Sequence, residues 1–302
     1  MTSSLGYMLR DGEGRLHIID PGWDSEINWL TWADAFFSIG ATIGHLSSIT
    51  VTHLHRDHLG LVARLREASG AEVAIHSIEQ VALDDRRQDT ARTSAQLERW
   101  GVPAGCRTAL IAATASSRWL LPAWSADVLL SDGDILPIPG RTLQVVWTPG
   151  HTSGHICIRD SAESLLFTGD HLLPDTNSGL GLGGETTSNP LEDYLESLRC
   201  VSGFDRHLAC PGHGRPFRNL SARCDAIADH HRRRSEEVAT ALHSSPDRTI
   251  WQIAENLTWS VEWQKLPPRH VRSALAQTEM HRDYVRSPGE HRPKWLNGMN
   301  RS

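Results

Sequence analysis

The sequence predicts an α/β domain followed by a smaller, mainly helical one, and three observations carry that expectation. Short apolar runs alternate with amphipathic stretches through the first two thirds of the chain. Several of these runs stop at a glycine turn, as before Gly150, Gly169 and Gly212. Beyond Pro216 the strand-like runs cease and helical periodicity takes over.

Strands are expected at Leu5–Arg10, Arg15–Asp20, Ser48–Thr52, Glu72–His76, Val128–Leu130, Thr142–Thr148, His155–Arg159, Ser164–Thr168 and His207–Cys210. Asp11-Gly12 and Asp132-Gly133 are turn signals between neighbouring strands. Helices are expected at Glu26–Ser38, Leu59–Glu67, Ser77–Asp84, Thr93–Trp100 and Leu191–Val201. The last is the best marked, with Asn189 as cap, Pro190 at its first position and Leu191, Tyr194, Leu195 and Leu198 as its apolar stripe. Further helices are expected over Ser221–His243, Pro246–Leu257 and Pro267–Arg286, an order similar to a winged-helix unit. The domains are therefore placed at 1–218 and 219–302, with 84–127 as a helical insertion over the first near its functional loops. His171 to Ser188, rich in Gly, Thr and Asn, is too long for a plain connector and reads as a substrate loop.

Composition removes several function classes. The 302 residues are 39% hydrophobic and 22% charged, which excludes a disordered or fibrous chain. Net charge is −6, so no global basic field favours nucleic acid or an anionic membrane. No apolar run approaches the roughly 18 residues of a membrane helix, and Met1–Arg10 lacks a secretion pattern, so a cytoplasmic location is expected. Five cysteines without a CxxC pair argue against a disulfide framework and a zinc finger, and point to reduced thiols. Histidine is in excess at 17 copies, which prompts a search for clusters.

The decisive run is Thr52-His53-Leu54-His55-Arg56-Asp57-His58, between the strand at Ser48–Thr52 and the helical stretch from Leu59. At a strand-to-helix turn, three imidazoles and a carboxylate this close can point to two adjacent metal sites. Three other strands run into a glycine turn carrying one ligand-type residue: His151, Asp170 and His213. Together these tips read as one edge of a sheet layer decorated with ligands.

The run His53-x-His55-x-Asp57-His58, followed by His151, Asp170 and His213 in their local contexts, resembles the metallo-β-lactamase fold superfamily, in particular its glyoxalase II and lactonase branch. The resemblance covers about residues 5–218 and implies a four-layer αββα sandwich, with a winged-helix-like extension such as some members carry. It implies that His53, His55 and His151 hold one metal, that Asp57, His58 and His213 hold a second, and that Asp170 bridges both. Five imidazoles and two carboxylates suit two Zn²⁺ ions, with iron or manganese as alternatives. The implied enzyme is a metal-dependent hydrolase in which a bridging hydroxide attacks a small carbonyl substrate: an ester, thioester or lactone, and less readily a β-lactam, since Asp170 is a ligand that antibiotic-hydrolysing members generally lack. Asp57 and Asp170 would also accept or relay the water proton.

Around this set, Asp20, His155 and His171 are candidates for orienting a ligand, each also readable as a turn or strand residue satisfied locally. Cys210 is read as a buried strand cysteine or an alternative ligand. Trp119 and Trp124 either roof the site or pack the insertion. His230 to Arg234 is the one basic run and reads as a solvated helix face. Two other activities belong to the same resemblance: a nuclease or RNA-processing role, which the net charge disfavours, and a mononuclear iron persulfide dioxygenase. The superfamily's usual first strand has little room before Leu5, so the fold begins late or the chain is truncated. An uncovered sheet edge there invites pairing, with a homo-oligomer as the outcome.

Overall fold

The computed structural model describes residues 4–84, 90–115, 124–183 and 186–287. Its first sheet grows from a hairpin in which β1 (Tyr7–Arg10) pairs antiparallel with β2 (Leu16–Ile19). The Asp11 carboxylate fixes the turn by accepting from the backbone N–H groups of Glu13 and Arg15. Three parallel strands follow, β3 (Leu46–Val51), β4 (Glu72–His76) and β5 (Val128–Leu130), giving the order β1-β2-β3-β4-β5. Ile49, Thr50 and Val51 are all buried, as a strand covered on both faces requires.

The crossovers of this sheet carry α1 (Glu26–Ser38), α2 (Arg56–Leu59), α3 (Val62–Ser69) and α4 (Ser77–Asp84), with α5 (Thr90–Arg99) and α6 (Ala104–Ala115) following before β5. Where a single helix over Leu59–Glu67 is expected, the structure has α2 and α3 separated at Gly60-Leu61. The reason is a close approach: the Leu61 N–H donates to Gly22 O, and a side chain on Gly60 would lie 2.8 Å from Asp24 N.

The second sheet has the order β6-β7-β8-β9, from Leu143–Trp147, Ile156–Asp160, Leu165–Gly169 and Leu208–Pro211. Its first three strands are antiparallel in sequence; β9 returns parallel to β8 after α7 (Pro190–Ser202). The two sheets face each other across Leu9, Ile19, Ala74 and Leu130 on one side and Leu143, Val145, Ile156, Ile158 and Phe167 on the other. On the outer face of the first sheet, Ile18, Ile49, Val51 and Val73 meet Trp32 and Phe36 of α1 and Leu65 of α3. Period-two alternation decides this, since Ile18 and Ile19 enter opposite layers. Beyond the second sheet, α7 buries Leu191, Tyr194, Leu198 and Val201. The succession helix, sheet, sheet, helix is the expected αββα sandwich.

The chain divides into two compact units, Met1–Arg86 with Leu120–Ala226, and Arg87–Trp119 with Ile227–Ser302. The second is helical among the described residues, with the later part of α8 (Leu220–Ser244), α9 (Ile250–Ala254) and α10 (Pro268–Arg286). The expectation treats 84–127 as an insertion over the first domain; packing groups its helices with the C-terminal ones. Leu97, Trp100 and Leu110 share a core with Ile250, Trp263 and Leu275. Trp124 packs against the α1/α3 core, and Trp119 lies outside the described residues. No helix among the described residues is long and apolar enough to cross a membrane.

Candidate metal centre

Strands β6, β8 and β9 end at the same side of their sheet, because β6 and β8 share a direction across β7 and β9 runs parallel to β8, and β3 of the first sheet ends beside them, where Ile156 N donates to Thr52 O at 3.0 Å. The ligand-bearing tips therefore come from two facing sheets rather than from one sheet edge. His53, His55 and His58 follow β3, His151 follows β6, Asp170 follows β8 and His213 follows β9.

Two groups of donor atoms result. In the first, His55 Nδ1 lies 2.9 Å from His53 Nε2 and 3.0 Å from His151 Nε2, and Asp170 Oδ2 lies 3.7 Å from His151 Nε2. In the second, His213 Nε2 lies 3.2 Å from Asp57 Oδ2 and 3.4 Å from Asp170 Oδ1, and His58 Nε2 is 3.4 Å from the same Asp170 oxygen. A tetrahedral ion with bonds of about 2.0–2.1 Å spaces its ligand atoms by roughly 3.3 Å, so both groups have the span of a metal site. Asp170 contributes one oxygen to each, the arrangement of a bridging carboxylate.

The outer ring nitrogens are already engaged. His58 Nδ1 donates to Asp20 Oδ2 at 2.9 Å, and His151 Nδ1 donates to Gly179 O at 2.7 Å. His53 Nδ1 faces Thr52 Oγ1 at 3.0 Å, and that hydroxyl donates onward to Asp20 Oδ2 at 2.7 Å. His55 reverses the pattern, directing Nε2 to Leu182 O at 3.3 Å. The rings of His53, His55 and His151 thus keep a proton on the outside and turn a lone pair inward, as metal-binding imidazoles do. Among the described residues, His58 Nε2 and Asp170 Oδ1 are buried without a hydrogen-bond partner, the condition that a coordinated ion relieves.

Electrostatics point the same way. Burial, reinforced by the neighbouring imidazoles, lowers His53 strongly and takes His55 down to about 3; burial also lowers His151, so all three are neutral. Burial opposes charge on His58 too, but Asp20 and Asp170 beside it push its pKa up to about 10. Asp57 and Asp170 resist the effect of burial through His213 and His58 and stay ionised. The same carboxylates attract a divalent cation.

The three candidate orienting residues separate clearly. Asp20, at a left-handed φ of 54°, accepts from Thr52 N, Thr52 Oγ1 and His58 Nδ1, so one carboxylate fixes the His58 ring directly and the His53 ring through Thr52. His155 acts through the backbone: its Nε2 accepts from Asp170 N at 3.2 Å, which leaves Nδ1 to donate to Thr148 Oγ1. His171 lies between His155 and α7, with its ring 6.0 Å from that of His155 and 5.0 Å from that of Tyr194, and burial followed by the nearby His151 lowers its pKa to about 3. Cys210 belongs to the core between the sheets, where burial pushes its thiol up to about 11. Of the basic run, Arg232 and Arg233 pair with Asp229, and Arg234 pairs with Glu237 and stacks on Trp259.

Two contributors escaped the sequence reading. The Thr52 hydroxyl is the relay just described, hidden in plain view within the His run. Glu79, on the first turn of α4, is fully buried and accepts from Leu54 N and Gly154 N at 2.7 Å each. Its signal was helical spacing, which sets Glu79 on the same face as the buried Leu83.

Residues 2–213 match the family profile of the metallo-beta-lactamase superfamily. The chain belongs to that superfamily. This metallo-beta-lactamase superfamily member is 26% identical to a probable metallo-hydrolase, YqjP, of Bacillus subtilis over 253 residues, 80% of this chain and 77% of that protein. It is 31% identical over 113 residues to an atrochrysone carboxyl ACP thioesterase of Aspergillus fumigatus, a match covering 37% of this chain and only 33% of that protein. A solved metallo-beta-lactamase family protein from Thermus thermophilus superposes with a TM-score of 0.74 at 26% identity, over 93% of this chain and 87% of that one. The chain is accordingly a superfamily hydrolase with a His/Asp cluster able to hold metal.

Proposed function

We propose that this chain is a two-metal hydrolase of a small carbonyl substrate, with thioesters and esters ahead of lactones and β-lactams. The observation that carries the reading is the pair of donor groups sharing Asp170, each imidazole of the first group held by an outer partner. His53, His55 and His151 would hold one ion, Asp57, His58 and His213 the other, and Asp170 both. The donor set, five imidazoles and two carboxylates with no thiolate, suits zinc. Bound ions of this kind supply Lewis acidity, activating water at neutral pH and polarising a carbonyl.

The chain's own residues account for the rest. Asp170, 12% exposed at its side chain, is suited to holding charge in place, whereas Asp57, at 23%, is the more accessible carboxylate and passes a proton toward solvent. Asp20 and Thr52 keep the His53 and His58 rings from turning. Preference for a thioester draws on the thioesterase among the relatives, whose alignment includes about a third of its length.

Metal analysis joined to a substrate panel tests this. Two ions per chain and turnover of a thioester or ester are expected. One iron per chain with oxygen consumption, or cleavage of RNA alone, overturns it.

A further inference from the structure

Glu79 is a buried carboxylate with no part in either donor group. Its side chain is fully enclosed, and among the described residues it forms no ion pair. Leaving a carboxylate inside a protein without a cation is costly unless its oxygens are well hydrogen-bonded. Here each oxygen has one backbone donor: Oε2 takes the N–H of Leu54, and Oε1 takes the N–H of Gly154.

Those two donors are informative. Leu54 lies between His53 and His55, and Gly154 closes the turn that begins at His151. The two loops supply all three imidazoles of the first donor group, from different sheets. Glu79 therefore spans the gap across which that group is assembled. The fit is close, because a side chain on Gly154 would lie 2.6 Å from Glu79 N and 2.8 Å from Glu79 Oε1. A second tie between the loops, Ile156 N to Thr52 O at 3.0 Å, lies toward the strands and leaves the ligand-bearing turns to Glu79.

We propose that Glu79 is a positioning residue that sets the separation of the His53/His55 loop from the His151 loop, and so the affinity of the first site for its ion. This rests on the two-metal reading above. A glutamine has the same shape but only one accepting oxygen. Its NH₂ group would face one of the two N–H donors, so one loop is released.

The test is Glu79→Gln, with Glu79→Asp as a second variant that keeps the charge but is one methylene short. Each is prepared metal-free, checked by circular dichroism and thermal unfolding, then titrated with Co²⁺ and Zn²⁺ against a chelator. Glu79→Gln is expected to fold, to bind one ion as the wild type does, to bind the other at least tenfold more weakly, and to show an altered Co²⁺ absorption band for that ion. Glu79→Asp is expected to show a smaller loss at the same site, and it decides the matter if Glu79→Gln does not fold. Unchanged affinity at both sites, or an equal loss at both, overturns the proposal. A wild-type chain that takes up no ion overturns the two-metal reading itself, whereas two tight ions in Glu79→Gln overturn only the role of Glu79.

Discussion

Replacing Asp20 with Asn exchanges one carboxylate oxygen for an NH₂ group while keeping the shape of the side chain. Asn also tolerates the left-handed backbone at this position, φ 54°, so the change isolates hydrogen bonding. The carboxylate accepts from three donors: Oδ1 from Thr52 N, and Oδ2 from Thr52 Oγ1 and His58 Nδ1. If the amide oxygen takes the place of Oδ1, the NH₂ group faces His58 and favours a ring with its proton on Nε2, where the lone pair is needed. If it takes the place of Oδ2, the NH₂ group meets the Thr52 N–H instead. Either way a bond to a charged acceptor worth about 1.5–3 kcal/mol is lost. Loss of an outer partner typically weakens metal binding by 10–100-fold, or about 1.4–2.8 kcal/mol, the same range. Chelator competition on the purified variant reads this directly, with the weakening expected at the site that contains His58. Two ions bound at wild-type affinity would refute the claim that Asp20 aligns the ligand rings.

Three other outcomes follow from the same geometry. Asp170→Ala removes the oxygen atoms shared by the two groups, so metal content should drop below two ions and activity by more than the 10–100-fold of an outer partner; full metal loading with normal turnover would contradict it. Gly212→Ala sets a methyl 2.5 Å from His58 Cε1 and 2.6 Å from Asp170 Oδ1, so a loss of about 1–3 kcal/mol in thermal unfolding should accompany loss of metal. Glu79, pushed by burial from its ordinary 4.5 to about 7, binds its proton more tightly folded than unfolded. Its contribution to metal-free stability is therefore full below pH 4.5 and declines by about 3 kcal/mol as pH rises to 7. Denaturant unfolding should show this slope in the wild type relative to Glu79→Gln, and parallel profiles would exclude it.

The strands and ligand-bearing tips were legible because each depends on local signals. Ile49 to Val51 read as a buried strand, and the imidazoles after it follow a turn whose composition is visible without any partner. The break between α2 and α3 was not legible, since it depends on the Gly22 carbonyl reaching Leu61 from a distant turn. Nor was the partner of α5, because Leu97 and Trp100 look the same whether they cover a sheet or, as here, Ile250 and Leu275. At the site, the donors were readable as residue types, and Asp20 and His155 were readable as candidate supports, but Thr52 and Glu79 were not. Thr52 and Glu79 act through hydrogen bonds to segments far apart in sequence, and no periodicity records such a bond. His171, named for its adjacency to Asp170 in the chain, has its ring 6.0 Å from that of His155 and 5.0 Å from that of Tyr194, a placement that adjacency alone does not give.

The carbonyls of Gly179 and Leu182 hold His151 and His55, and both belong to the glycine-rich stretch after β8. Main-chain atoms do this work, so the identities of the neighbouring side chains are free to diverge while the path and length of the backbone are not. Diversification or redesign of this segment is thus confined to point substitutions: an insertion or deletion that shifts either carbonyl would trade any new selectivity for loss of the hydrogen bonds that hold the two rings.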